Sequence, residues 1–498
     1  MPYPIFAVIL AFCTLFPPRE VEKVAATKKG TGAANRNAKH GPAVPHASSR
    51  PNIIYIFTDQ QHRDMMSAAG NPWLKTPAMD YLAANGVRFT RAYTTNPVCS
   101  PARVSLMTGR MPGYFRDNKG QPVTENVGAM RIGKLSPEVE STTLATWLKR
   151  AGYRLLFGGK EHLPPSLTPE AQGFEDFTDD ERGQLAERAA EYIRSQPKDP
   201  YFMVVSLINP HDICYMAIRD FASTEQEKRL VSTGAEEIET LDRAMKRPAG
   251  VSEAEFFEKY CPPLPPNYEP QKGEPRAIKN YIASRNFQQA AREQYTDKDW
   301  RTHRWAYCRL TETVDSQIQT ILNALRESGQ EENTLILYSS DHGDMDAAHR
   351  LEHKSLLYEE SAGVPFLAMW KGHLRAGTVD STHLVSSGLD LLPTVCDFAG
   401  ITAKADPRGR SLRPLLEGKK VPWRQTLGVE STVGRMVVDA QRHKYIRYAW
   451  PEDDKTEVQL LDLTRDPYET THFTDDPGAK AVLPRLSRAF DELWFPNK

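Results

Sequence analysis

Two apolar runs end in residues that could hold a cation. Asp59 and Gln60 follow the run from Asn52 to Thr58, and Asp341 and His342 follow the run from Thr334 to Ser340. In open α/β sheets ligands sit at the carboxyl ends of strands, so such pairs can converge although they are far apart in sequence. Two carboxylates, an amide oxygen and an imidazole form an oxygen-rich site for a hard divalent cation. Either pair alone reads equally well as a helix cap or turn lining. Basic groups close two further runs, Gly158-Gly159-Lys160-Glu161-His162 and Asn209-Pro210-His211, and Lys354 lies shortly downstream of His342. A tetrahedral anion needs such donors, above all where charge grows in a transition state. A lone lysine is ordinarily a solvated charge and a lone histidine a structural group, so convergence on one face is the point to test.

Residues 96–110 carry a third kind of chemistry. Pro101 suits the first turn of a helix and Ser100 its N-cap, which would put Cys99 just ahead of a helix N-terminus, where amides and the dipole favour an anion. Both a reactive thiol and a buried inert one fit that reading.

These residues need elements to position them. Asn52-Ile53-Ile54-Tyr55-Ile56-Phe57-Thr58 has the continuous apolar pattern of a strand covered on both faces in a mainly parallel sheet. Tyr153 to Phe157, Tyr201 to Leu207, Thr334 to Tyr338 and Val364 to Trp370 look alike, with helical periodicity from Thr142 to Ala151 and from Ala306 to Ser328. The alternation predicts an α/β layered catalytic domain over residues 51–420. From about Ile218 to Asp299 the chain is polar and rich in Pro and Tyr with little periodicity, and reads as an insertion that overhangs the active face or as a solvated loop. After Val421, Met436 to Asp439, Lys444 to Tyr448 and Gln459 to Asp462 predict a short antiparallel sheet. With a closing amphipathic helix from Ala479 to Trp494 it makes a small C-terminal α+β subdomain over residues 421–498.

The 498 residues are 40% hydrophobic and 26% charged, which is ordinary for a globular enzyme. A net charge of −1 leaves no global field to recruit nucleic acid or an anionic membrane. The apolar run Ile5 to Phe16 is too short for a transmembrane helix and suits a signal peptide, with Val24-Ala25-Ala26 as the cleavage site. Residues 1–26 are thus expected to be a leader and residues 27–50 a flexible linker, so that the mature chain is periplasmic or extracellular. Leu10-Ala11-Phe12-Cys13 has a bulky Phe12 where a lipobox has a small residue, which favours a soluble form over a lipid anchor at Cys13. Nothing else is long and apolar enough to span a bilayer. Cys214, Cys261, Cys308 and Cys396 leave room for one or two disulfides without assigning them.

Cys99, Pro101, Arg103, Thr108 and Gly109 match the C-x-P-x-R…T-G signature, and on them the chain closely resembles the type I sulfatases of the alkaline phosphatase superfamily. Thr58-Asp59-Gln60, Gly159-Lys160-Glu161-His162-Leu163, Asn209-Pro210-His211, Ser340-Asp341-His342-Gly343 and His353-Lys354-Ser355 occur in the family's order, so the likeness runs from Pro51 to the C-terminus. It implies an alkaline-phosphatase-like α/β/α sandwich with a large mixed, mainly parallel sheet. It also implies that a maturation enzyme oxidises Cys99 to formylglycine. Asp59, Gln60, Asp341 and His342, with an oxygen of modified Cys99, become the expected metal ligands. Arg103 would hold the hydrated aldehyde, Lys160 and His162 would contact that group or the sulfate, and His211 and Lys354 would bind sulfate oxygens. Many members have Asp in place of Gln60 and Asn in place of His342. Ca2+ is the expected metal, ahead of Mg2+ or Mn2+. The implied reaction is hydrolysis of a sulfate ester on a carbohydrate, with a hydroxyl of the hydrated aldehyde attacking sulfur and a base, His162 for one, resetting the group. A phosphodiester or phosphonate-ester hydrolase of the same superfamily, or a catalytically silent glycan-binding protein, are the alternatives.

Overall fold

The computed structural model describes residues 50–117, 119–123, 130–403, 406–450 and 453–495. The expected leader with Cys13, and the linker up to residue 49, lie outside the described residues. The first strand, β1 (Asn52–Asp59), is buried along its whole length. Its side chains alternate between two apolar layers. Ile53, Tyr55 and Phe57 join a core with Val104, Leu106 and Met107, while Ile54 and Ile56 join a second core with Val314, Ile318, Ile321 and Leu322. A strand with apolar residues on both faces must lie between two layers of helices, and this one does. Full burial of each such side chain stabilises the fold by roughly 1.5–3 kcal/mol.

The remaining strands are β2 (Val87–Phe89), β3 (Ala92–Tyr93), β4 (Arg154–Gly159), β5 (Glu175–Thr178), β6 (Tyr201–Pro210), β7 (Thr334–Ser340), β8 (Phe366–Met369), β9 (Thr378–Asp380), β10 (Val385–Ser386), β11 (Thr426–Ser431), β12 (Gly434–Asp439), β13 (His443–Trp450) and β14 (Asp453–Asp462). The main sheet has the order β5-β4-β6-β1-β7-β8-β2-β9. Strand β8 runs antiparallel to both its neighbours and all other pairings are parallel, so the sheet is mixed but mainly parallel. Strands β1, β4, β6 and β7 therefore deliver their carboxyl ends to one rim. The short strands β2, β5 and β9 were not legible as apolar runs, because β2 has three residues and β5 and β9 are partly exposed.

The periodic stretch before Ser328 belongs to a helix from Asp297 to Glu327, which begins at a capping box formed by Thr296 and Asp299. Residues 218–299 differ from their reading as a segment with little periodicity. They carry helices at Glu225–Thr233, Ala235–Met245, Arg276–Ala283 and Asn286–Gln294. Their buried stripes include Thr240, Ala244, Ala277, Gln288 and Ala291, small or polar residues that hide a helical period. Two of these helices touch the Lys354 loop: Tyr281 Oη lies 3.4 Å from the Lys354 carbonyl, and the Phe287 and His353 ring centroids are 5.1 Å apart.

Strands β11 to β14 form an antiparallel sheet covered by the helix Ala479–Trp494, with Val437, Tyr445, Leu460, Leu486 and Phe490 between them. Buried Lys444 of β13 joins this sheet to the catalytic layer, its Nζ 2.8 Å from Glu359 and 2.6 Å from Glu469. Cys214, Cys261, Cys308 and Cys396 are all free and buried.

Candidate active site

Cys99 occupies the first turn of the helix Cys99–Thr108, whose N-cap is Val98. The expectation from sequence had the helix start two residues later, at Pro101 with Ser100 as cap. Instead the Ser100 hydroxyl accepts a bond from the Met130 amide at 2.7 Å, and the amide of Ala102 closes the first turn on Val98. Pro101 is tolerated because first-turn amides have no intrahelical partner. The helix ends at Gly109, whose φ of 63° is the left-handed conformation that favours glycine.

One helical turn after Cys99, Arg103 reaches the ends of β1 and β7. Its Nη2 donates to Asp59 Oδ2 at 3.0 Å and its Nε to Asp341 Oδ2 at 2.9 Å. Nη1 donates to the Lys160 carbonyl at 2.6 Å and to Ser206 Oγ at 2.9 Å. Arg103 was expected to hold the group derived from Cys99. Beside the unmodified thiol its donors are directed to the two carboxylates and the ends of β4 and β6.

The ligand atoms of Asp59, Cys99, Asp341 and His342 lie within 4.8 Å of one another, all buried. His342 Nδ1 faces the Gly343 carbonyl at 2.9 Å and so carries a proton, while Nε2 lies 3.2 Å from Cys99 Sγ and would offer its lone pair to a cation bound there. Gly343 can only be glycine here, since a Cβ would meet the Glu360 carbonyl oxygen at 1.9 Å. The Gln60 backbone is left-handed, with φ 74°, and is held from both sides. Its amide donates to Asp341 Oδ1 at 3.1 Å and its carbonyl accepts from Tyr307 Oη at 2.6 Å. The Gln60 side-chain oxygen lies 2.7 Å from Lys354 Nζ. Two carboxylates, an imidazole lone pair and an amide oxygen suit a hard divalent cation.

The cationic groups surround this core. Lys160 Nζ is 2.7 Å from Asp59 Oδ2, and Lys354 Nζ is 3.1 Å from Cys99 Sγ. Burial and Asp59 oppose ionisation of the Cys99 thiol, but Lys354, Lys160 and His342 outweigh them and hold its pKa well below the usual value. Burial likewise raises the Asp59 pKa, yet Lys160, His211, Lys354 and Arg103 together pull it well down. Burial pushes the pKa of His162 down, opposed by the nearby Cys99 side chain. Burial, then the charges of Lys160 and Lys354, push His211 well down. Both rings are therefore neutral near pH 7. Neither nitrogen of His162, nor Nδ1 of His211, has a hydrogen-bond partner among the described residues.

All of the sequence-derived candidates thus gather at one rim. Four neighbours were not anticipated: Asp344, Ser206, Cys214 and Tyr307. Asp344 ends the run Asp341-His342-Gly343-Asp344, where a third polar residue after a strand is a signal, whereas Tyr307 sits inside a helical apolar stripe with no local mark.

An α/β/α sandwich with acidic, basic and thiol groups at the carboxyl rim of its sheet is the architecture of alkaline-phosphatase-type ester hydrolases. The sulfatase family model matches residues 51–401, and the model of the N-sulphoglucosamine sulphohydrolase C-terminal region matches residues 347–494. The chain belongs to the sulfatase family and is a sulfuric ester hydrolase. It is 28% identical over 483 residues to a Delta 4,5-hexuronate-2-O-sulfatase of Bacteroides thetaiotaomicron, covering 92% of this chain and 91% of that one. It is 26% identical to an N-acetylglucosamine-6-O-sulfatase of the same organism, covering 85% and 82%. The structure of a 2-O GAG sulfatase superposes with a TM-score of 0.72 at 25% identity, covering 89% of this chain and 92% of that one. The family generally uses a metal and a formylglycine. Among the described residues no helix is long and apolar enough to cross a membrane.

Proposed function

We propose that the protein removes sulfate from a sulfated carbohydrate after export, with formylglycine made from Cys99 by a maturation enzyme, and with Ca2+ held by Asp59, Gln60, Asp341, His342 and the modified side chain. The observation that carries this reading is the meeting of Cys99 with Asp59, Asp341 and His342 within 4.8 Å. The bound cation and aldehyde together supply a nucleophilic oxygen at neutral pH. The chain's own residues do the rest. Lys354 and Lys160, buried beside Cys99 and Asp59, neutralise a sulfate held above them and stabilise charge that grows on its oxygens. Neutral His162, whose ring nitrogens have no hydrogen-bond partner among the described residues, accepts the proton that resets the nucleophile, and His211 or Lys354 stabilises the departing alcohol oxygen. Arg103 keeps both carboxylates oriented.

A carbohydrate is favoured by two relatives that span most of the chain and are named for sulfate on sugars. Export rests on the apolar Ile5 to Phe16 run ahead of the linker and the catalytic domain from residue 51. The mature enzyme assayed on the sulfate, phosphate and phosphonate esters of one phenol, and on sulfated oligosaccharides, tests the reading. Sulfate hydrolysis at least tenfold faster than the other two, with desulfation of at least one oligosaccharide, is expected by a margin of about 1.4 kcal/mol. A faster phosphonate reaction, or oligosaccharides left intact, contradicts it.

A further inference from the structure

Gln60 presents a problem that a carboxylate in its place would not. Both oxygens of a carboxylate are acceptors, but a side-chain amide is useful to a cation only with its oxygen turned inward, and rotation by half a turn replaces that oxygen with an NH2 donor. Its surroundings settle the orientation. On one side Gln60 Nε2 donates to Asp344 Oδ2 at 2.6 Å. On the other, Gln60 Oε1 accepts from Lys354 Nζ at 2.7 Å and from the Cys214 thiol at 3.0 Å. An ionised carboxylate only accepts and an ammonium only donates, so the reverse rotamer would set acceptor against acceptor and donor against donor. Gln60 and Asp344 are fully buried, so water does not relieve the mismatch.

Asp344 is itself fixed. Its second oxygen, Oδ1, accepts from the Asp346 amide at 2.7 Å. One side chain thus satisfies two N–H groups, one from Gln60 and one from the backbone, and among side chains of this size only a carboxylate accepts from both. An asparagine would have to turn its NH2 toward one of them. With its oxygen on the Asp346 amide, its NH2 would face Gln60, which would rotate to offer its oxygen and leave its own NH2 pointing at the cation.

We propose that Asp344 is a positioning residue that locks the Gln60 amide with its oxygen toward the cation, acting on the metal only through Gln60. Such outer partners commonly change metal affinity about 10- to 100-fold. The inference rests on the cation site of the proposed function, and the experiment separates the two.

Chelator-stripped mature wild type, D344N, Q60A and the D344N/Q60A double variant are titrated with Ca2+ by calorimetry, and the melting temperature of each is taken without metal. D344N is expected to weaken Ca2+ binding about 10- to 100-fold, with an affinity close to that of Q60A, and the double variant to match Q60A, since the same ligand is lost in all three. If D344N weakens binding by the same factor in the Q60A background, Asp344 acts as a distant charge and the lock is wrong. Unchanged affinity in D344N overturns it as well, whatever the melting temperatures show, because a purely structural role would move those and leave affinity alone. A wild type that binds no Ca2+, Mg2+ or Mn2+ at all removes the cation site and with it both proposals, which is a different outcome from a wild type that binds and a D344N that binds equally well.

Discussion

Replacing Arg103 by lysine asks whether its role is to clasp the two carboxylates. The guanidinium makes four contacts with three nitrogens: Asp341 at 2.9 Å, Asp59 at 3.0 Å, the Lys160 carbonyl at 2.6 Å and Ser206 Oγ at 2.9 Å. The single nitrogen of a lysine cannot sit between carboxylates approached from different guanidinium nitrogens, so one carboxylate is lost, along with at least one of the contacts to the Lys160 carbonyl and Ser206. A charge-assisted bond contributes roughly 1.5–3 kcal/mol and a neutral one roughly 0.5–1.5 kcal/mol. Asp59 retains Lys160 at 2.7 Å, which places the expected loss for R103K at about 3 kcal/mol. Urea unfolding of the metal-loaded protein measures it, with S206A as a control that removes the Ser206 bonds to Arg103 and to the Lys160 carbonyl and is expected to cost about 2 kcal/mol. An R103K protein within about 1 kcal/mol of wild type would refute the clasp, and the carboxylates would then be held by the sheet ends alone.

Lys354→Ala, which removes the ammonium 3.1 Å from Cys99 Sγ, is expected to lower kcat on an aryl sulfate by roughly 100- to 1,000-fold while KM changes far less; a loss under about tenfold would show that the charge is dispensable. Gly343→Ala drives a methyl into the Glu360 carbonyl oxygen, and is expected to destabilise the fold by about 1–3 kcal/mol and to depress activity through the adjacent His342, as thermal melts and aryl sulfate hydrolysis will read. Burial lowers the pKa of His349 from 6.5 to about 4, so between those values the unfolded chain binds a proton that the folded chain refuses, and stability falls as pH drops through this window. His349 contributes roughly 3 kcal/mol of this acid sensitivity, and His349→Asn, which suits the left-handed φ of 56°, is expected to flatten the pH dependence of urea unfolding between pH 6.5 and 4; an unchanged slope contradicts that assignment.

What the sequence made legible follows from where each residue stands. β1, β4, β6 and β7 are covered on both faces, so their apolar runs stand out and the polar residues just after them mark the rim. Asp59, Gln60, Lys160, His211, Asp341 and His342 were readable for that reason. Partly exposed β5 and β9 have no such run. The helices between residues 218 and 299 bury threonine, glutamine and alanine beside their larger apolar residues, a pattern close to that of loops. The helix starts two residues earlier than expected, at Cys99, because the Ser100 hydroxyl is taken by a tertiary contact to Met130. Arg103 and Asp344 show the other limit. Residue type and spacing mark such groups as polar and near the site, but which atom each faces is decided largely by chain segments distant in sequence, Asp341 for Arg103 and Gln60 for Asp344.

The mass of the tryptic peptide containing Cys99, taken from protein produced together with a formylglycine-generating enzyme, reads whether Cys99 becomes the nucleophile. This peptide is expected to have exchanged sulfur and two hydrogens for one oxygen, with the fraction converted rising in proportion to aryl sulfate hydrolysis across preparations. Full activity in a preparation whose Cys99 peptide carries only the unmodified thiol would contradict it.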